Sequence, residues 1–344
     1  MIARHHSFVR NVLSILSVLV LAFGLPVRSQ SAEMLSPITD MSIRRATVST
    51  LTSFADEAVT AIDFLIDESA VVCGTDAGRV LALALEDGRP MKVFPQHNAG
   101  VTSVSVSPDG HWVASSATDG WVHVSNLIDE ELSFSLRHAG AVHETEFSPE
   151  GTYLASVGDF QGIRWWTTDT WDELPPILGH TGSVHALAFS PAEDLLVTGA
   201  GDGDPSIRLW EVATRTELQN DLYEGMVYDI EYSPRARDRH ATITGTQRTI
   251  WLWEVDRGEY LHVVGRFQQA VNDAAYASLG NALVAVSEDG SLFYTTMPSW
   301  TEKRRLSFNE ALLAVAYSTS RRYIAFSDDA GRLYVLTVPS ESAS

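Results

Sequence analysis

One short pattern recurs seven times in this chain, and its spacing constrains the fold more than any composition figure. Six-residue apolar stretches begin at Val59, Val101, Val142, Val184, Val227, Val271 and Leu312, at intervals of 42, 41, 42, 43, 44 and 41 residues. A turn follows, clearest at Ser107-Pro108-Asp109-Gly110 and Ser148-Pro149-Glu150-Gly151, where proline presets φ and glycine accepts positive φ. Then come a second apolar strand, an acidic or glycine-bearing hairpin such as Asp119-Gly120 or Asp289-Gly290, a third strand rich in aromatic and branched residues, and a weaker fourth. A steady period of this length, with strand patterns throughout, predicts an all-β ring of seven four-stranded blades.

The unit from Gly179-His180 to Trp210-Glu211, with a second Trp-Glu ending at Trp253-Glu254, resembles the WD40-repeat family over roughly residues 44–338. The resemblance implies a seven-bladed WD40-type β-propeller, a rigid scaffold that binds proteins or peptides. The seventh unit stops after three strands, and a spare strand, Ala46–Leu51, precedes the first unit. The family implies that this strand supplies the outer strand of the last blade, and pairing the chain ends in one sheet leaves no open junction. It also implies a buried hydrogen-bond network in each unit. The positions that match are His180, Thr198, Asp202 and Trp210, and in the preceding unit His138, Ser156, Asp159 and Trp165. Such a set looks like nucleophilic chemistry but serves folding, because a buried carboxylate needs several donors.

The first residues read as a targeting segment. Arg4 and Arg10 precede the apolar run Val12–Leu25, and Ser29-Gln30-Ser31-Ala32 is a small-residue cleavage site. The expected organisation is a signal peptide at 1–32, a linker at 33–43, the propeller at 44–338 and a flexible tail at 339–344. The run is shorter than the ~20 residues of a bilayer span, so cleavage and release to a secreted or periplasmic location is expected, without stable membrane insertion. An uncleaved anchor is the alternative. The single cysteine, Cys73, lies in an apolar strand pattern and reads as a buried small hydrophobe.

Forty-four acidic against 24 basic residues give a net charge of −20, and only Lys92 and Lys303 are lysines. Such a surface repels nucleic-acid phosphates and favours basic partners. No phosphate-binding loop, metal-ligand spacing or cysteine cluster is present, so neither cofactor nor metal is expected.

The candidate binding residues lie in the innermost strands. Strand alternation, with a bulge or twist early in each strand, points the fifth residue of each toward the axial channel, among them Asp63, Glu146 and Glu231. Two residues earlier stand Glu144, Asp229 and Asp273. Six carboxylates at one channel mouth raise one another's pKa values or recruit cations. Trp171 and Trp300, in turns, are candidate exposed anchors. The reading is a non-catalytic protein- or peptide-binding scaffold with a partner that is basic. The alternative is an enzyme, or a cation- or small-ligand-binding propeller, that uses the channel acids.

Overall fold

The computed structural model describes residues 40–339 apart from 161, 202 and 236–239. The expected signal peptide, the linker up to residue 39 and the tail from residue 340 lie outside the described residues. Seven antiparallel sheets follow one another, six of four strands and one of three. Their innermost strands are Val59–Phe64, Val101–Val106, Val142–Phe147, Val184–Phe189, Val227–Tyr232, Val271–Tyr276 and Leu312–Tyr317. We number the blades one to seven in that order. The chain is a seven-bladed β-propeller.

The ring closes through the chain's beginning. Thr47–Ser53 pairs antiparallel with Arg332–Thr337 and completes blade seven as its outer strand. Ahead of it, where a linker was expected to run as far as residue 43, the short helix Asp40–Arg45 stands instead. Ile43 is buried at 1% exposure, and the Arg304 guanidinium in the outer strand of blade six donates to the carbonyls of Ile43 (2.6 Å) and Ala46 (3.0 Å). The closing strand is therefore held by its sheet on one side and by a neighbouring blade at its start.

Blade three has the three-stranded sheet. Its outer segment, 168–178, forms no ladder with the third strand and pairs there through the isolated bridges Ile163↔Ile177 and Trp166↔Glu173. Pro175 and Pro176 lie between those bridges, and a residue without an N–H cannot sustain a ladder.

Hydrophobic clusters lie between blades. One joins Val284, Leu292 and Tyr294 of blade six to Leu312, Ile324 and Phe326 of blade seven. Another joins Ala186 and Val197 of blade four to Val227 and Ile243 of blade five. Each sheet therefore buries both faces, which is why the second strands read as near-continuous apolar runs. Every innermost strand also carries a bulge. The register shifts between the first and third residues in blades one to six and between the first and fourth in blade seven. The extra residue bends the strand at its start and leaves the third and fifth residues on one face, toward the axis.

Candidate functional site

The axis of the ring encloses a cavity of about 400 Å³, and all six expected carboxylates, Asp63, Glu144, Glu146, Asp229, Glu231 and Asp273, line it. One mouth, where the innermost strands begin, is rimmed by the bulged residues, including Thr60, Thr102, His143, His185, Tyr228 and Asn272. His143 and His185 stack with ring centroids 4.3 Å apart, and His143 Nε2 lies 2.8 Å from the Asp159 carboxylate.

Most of the acids also bind the next blade. Asp63 accepts the main-chain N–H of Val106 at 2.8 Å, Glu144 that of Leu187 at 2.6 Å, Asp229 that of Ala274 at 3.0 Å and Asp273 that of Val315 at 2.7 Å. Glu146 takes the amide of Phe189, while its Oε2 is enclosed without a hydrogen-bond partner.

Removal from bulk water raises all six pKa values. Burial pushes Asp63 up to about 6 against the amides of Val106 and Phe64, and Asp273 up to about 7. Burial, then the charge of Asp63, pushes Glu146 up to about 8. Glu144, Asp229 and Glu231 rise well above the carboxylate range through burial first and then through one another and their neighbours. Each shift favours the protonated form of its carboxyl. Among the described residues, no three His, Cys, Asp or Glu side chains are placed to hold a metal ion.

The internal networks follow the expected pattern with corrections. In blade four the Trp210 indole N–H donates to Thr198 Oγ1 at 2.8 Å, Thr198 lies 2.7 Å from His180 Nε2, and His180 Nδ1 lies 2.9 Å from a carboxylate. That carboxylate is Asp204. Asp202 lies outside the described residues. Burial raises the Asp204 carboxyl, but hydrogen bonds from Ser206, Thr181 and His180 outweigh it and hold the group below its ordinary range. The physical reason for the displacement is turn length. In blade two the equivalent Asp119 stands two residues before the third strand begins at Trp121, and Asp204 stands two before Ser206. The blade-four hairpin is longer, so counting forward from the second strand lands on the wrong residue.

In blade three His138 Nε2 meets Ser156 at 2.7 Å, but Asp159 turns away to His143. Phe160 packs on the His138 ring at 4.8 Å in the carboxylate's place, and Nδ1 has no hydrogen-bond partner. The matching tryptophan is Trp166, not Trp165. Leu154 pairs with Trp166 as Leu196 pairs with Trp210, and Trp166 lies edge-on to His138. Trp165 donates instead to the Pro175 carbonyl at 2.8 Å.

A third network escaped the sequence reading: His97 lies 2.9 Å from Ser115 and 3.4 Å from Asp119. Its signal was spacing. His97–Ser115, His138–Ser156 and His180–Thr198 are each 18 residues apart.

Trp171 and Trp300 are not exposed anchors. Both are half-buried in the left-handed region, at φ 60° and 50°. Trp171 packs against Trp112 and Phe134 of blade two at 5.0 and 4.8 Å, and Trp300 against His240 and His262 of blade five at 5.8 and 6.1 Å. Each turn tips its indole over the preceding blade, so a turn position did not imply exposure.

Residues 88–125 and 172–211 match the family described as WD domain, G-beta repeat. Similar proteins include bovine serine-threonine kinase receptor-associated protein, 26% identical over 171 residues, covering 46% of this chain and 48% of the relative. Bovine cilia- and flagella-associated protein 52 is 24% identical over 276 residues, 76% of this chain and 41% of that protein. Bovine DNA damage-binding protein 2 is 30% identical over 124 residues, 35% and 29% of the two chains. The chain thus spans about half the length, or less, of these relatives. Seven blades of one repeating sheet, with repeats matched in the first-to-second and third-to-fourth blade segments, make the chain a seven-bladed β-propeller that carries WD40 repeats.

Proposed function

We propose that the chain is a non-catalytic scaffold that binds a protein or peptide and presents its acid-lined axial channel to a basic side chain of that partner. The observation that carries the reading is the convergence of six carboxylates on one water-accessible cavity of about 400 Å³. A lysine or arginine side chain entering it would meet ligands already aimed at the axis and would draw protons from groups whose pKa values burial has raised. The relatives are named for association with a receptor, for cilia and for damaged DNA, and those names share no partner. They support binding as the common theme and leave this chain's partner to its own chemistry. A polyanionic partner is disfavoured by the net charge of −20. The charged, apolar and cleavable order at residues 4–32 supports export to a secreted or periplasmic location.

The test is capture of partners from the native source, followed by binding of the captured partner to wild type and to a Glu144→Gln, Asp229→Asn, Asp273→Asn variant. These amides keep a carbonyl acceptor for the neighbouring blade but lose the charge. Weaker binding by the variant, with the difference shrinking as salt rises, supports the channel reading. Equal affinity at every salt concentration would move the interface elsewhere.

A further inference from the structure

On the face opposite the strand starts, six of the turns between first and second strands, those of blades one to four, six and seven, place one described residue each in the left-handed region. In blades two, three and six it is Gly110, Gly151 and Gly280, whereas blades one, four and seven place Glu68, Glu193 and Arg321 there, at φ 56°, 54° and 64°. A side chain at such a position is disfavoured, so the three exceptions call for a reason. Two have one in the neighbouring turn. Glu193 accepts the N–H of Glu150 at 2.7 Å, and Glu68 accepts the N–H of Ser320 at 2.5 Å and the Thr319 hydroxyl at 3.0 Å.

Arg321 has no such partner. It is only 3% exposed, yet its Nε and Nη1 are enclosed and make no hydrogen bond. The titratable groups whose charge acts on it are the phenols of Tyr317 in its own blade and Tyr294 in blade six. Burial keeps the Tyr317 phenol protonated far above its ordinary range, so it remains a neutral donor. The acid nearest in the ring of turns, Glu68, is engaged by Ser320 and Thr319 rather than by the guanidinium. Two other arginines occupy this face. Arg322 stacks on Tyr323 at 5.5 Å, and Arg235 of blade five reaches the blade-six turn, donating to the Leu279 carbonyl at 2.6 Å. That turn is itself tied to blade seven by Ser278, whose hydroxyl donates to the Thr319 carbonyl at 2.9 Å.

A guanidinium held out of water in a disfavoured backbone conformation, with no carboxylate hydrogen-bonded to it, has two N–H groups awaiting an acceptor. We propose that Arg321 forms a small-oxyanion site at the seam between blades six and seven, taking an anion of the phosphate or sulfate class through Nε and Nη1. The planar edge of arginine matches two oxygens of a tetrahedral anion.

The experiment is thermal unfolding of the full chain as inorganic phosphate replaces chloride at constant ionic strength. Phosphate stabilises many proteins through exclusion from their surfaces, so the readout is the difference between variants. Wild type is expected to show a saturable rise in Tm. Arg321→Gly, which restores the residue of three sister turns, is expected to show only the unsaturating rise common to both, and the surface control Arg322→Ala to behave as wild type. Arg321→Gln replaces the glycine variant if the latter does not fold. A wild-type response without saturation, or an equal response in the Arg321 variants, would overturn the site.

Discussion

The Glu144 carboxylate of blade three accepts the main-chain N–H of Leu187 in blade four at 2.6 Å. The same reach from channel face to neighbouring strand recurs from Asp63, Asp229 and Asp273, and between blades two and three Ser105 accepts the Phe147 N–H at 3.1 Å. Blades four and seven carry alanine at both channel positions, Ala186 with Ala188 and Ala314 with Ala316. Their seams with blades five and one have no such strap from those positions. The acids therefore have a structural task alongside any ligand, and the two can be separated by substitution.

Glu144→Gln should change stability little, because the amide oxygen still accepts from Leu187. Glu144→Ala should cost about 1–3 kcal/mol by leaving that N–H without its acceptor. Denaturant unfolding of both variants checks the pair. Equal losses would mean that the charge, not the strap, matters.

The raised channel acids make stability depend on pH in a defined sense. A carboxyl whose folded pKa exceeds its unfolded value binds protons more tightly when folded, so its contribution is present below about 4 and is lost as pH rises through the folded pKa. For Asp63, Asp273 and Glu146 those values are about 6, 7 and 8. His97 and His138 oppose this at lower pH: burial lowers both to about 4, so stability from them rises with pH up to about 6.5. Between about pH 6.5 and 8 only the acids act, and unfolding free energy should fall. An Asp273→Asn, Glu146→Gln variant should flatten the slope in that window.

Asp204→Ala should destabilise the fold by about 2 kcal/mol or more, since His180, Thr181 and Ser206 all donate to this carboxylate. Partner affinity should be unchanged at temperatures where the variant stays folded. Lost binding with wild-type unfolding would make Asp204 part of a site instead.

The contrast between Asp202 and Asp204 shows where sequence reading succeeds and fails here. The period and the early bulge of the innermost strands were visible because each unit repeats them with little change in length. The channel acids followed from alternation after that bulge. The turn aspartate was misplaced because two strands fix a hairpin's ends but not its length, and blade three was misread because Phe160 substitutes packing for a charge. Trp165 and Trp166 are adjacent and chemically alike, so only pairing with Leu154 tells them apart.

Trp171→Gly relieves a left-handed φ but removes the indole from Trp112 and Phe134. Relief is worth about 1–2 kcal/mol and truncation of a large aromatic costs about 3–5 kcal/mol when fully buried. For this half-buried side chain the truncation cost is about half of that, so a net loss of up to about 1 kcal/mol is expected, read from chemical denaturation. A stabilised variant would show that the indole contributes little to the contact between blades two and three.

The closing strand also sets an order of events. Ser49 donates to the Val335 carbonyl across 286 residues of sequence, so Thr47–Ser53 leaves the ribosome long before its partner exists. Contacts of such separation form late and slowly. Until Arg332–Thr337 arrives, both lone edges are open to other chains. A nascent chain kept in that state is unsealed for most of its synthesis, a liability during growth but an advantage for any chain that has to be threaded unfolded through a membrane before its ring locks.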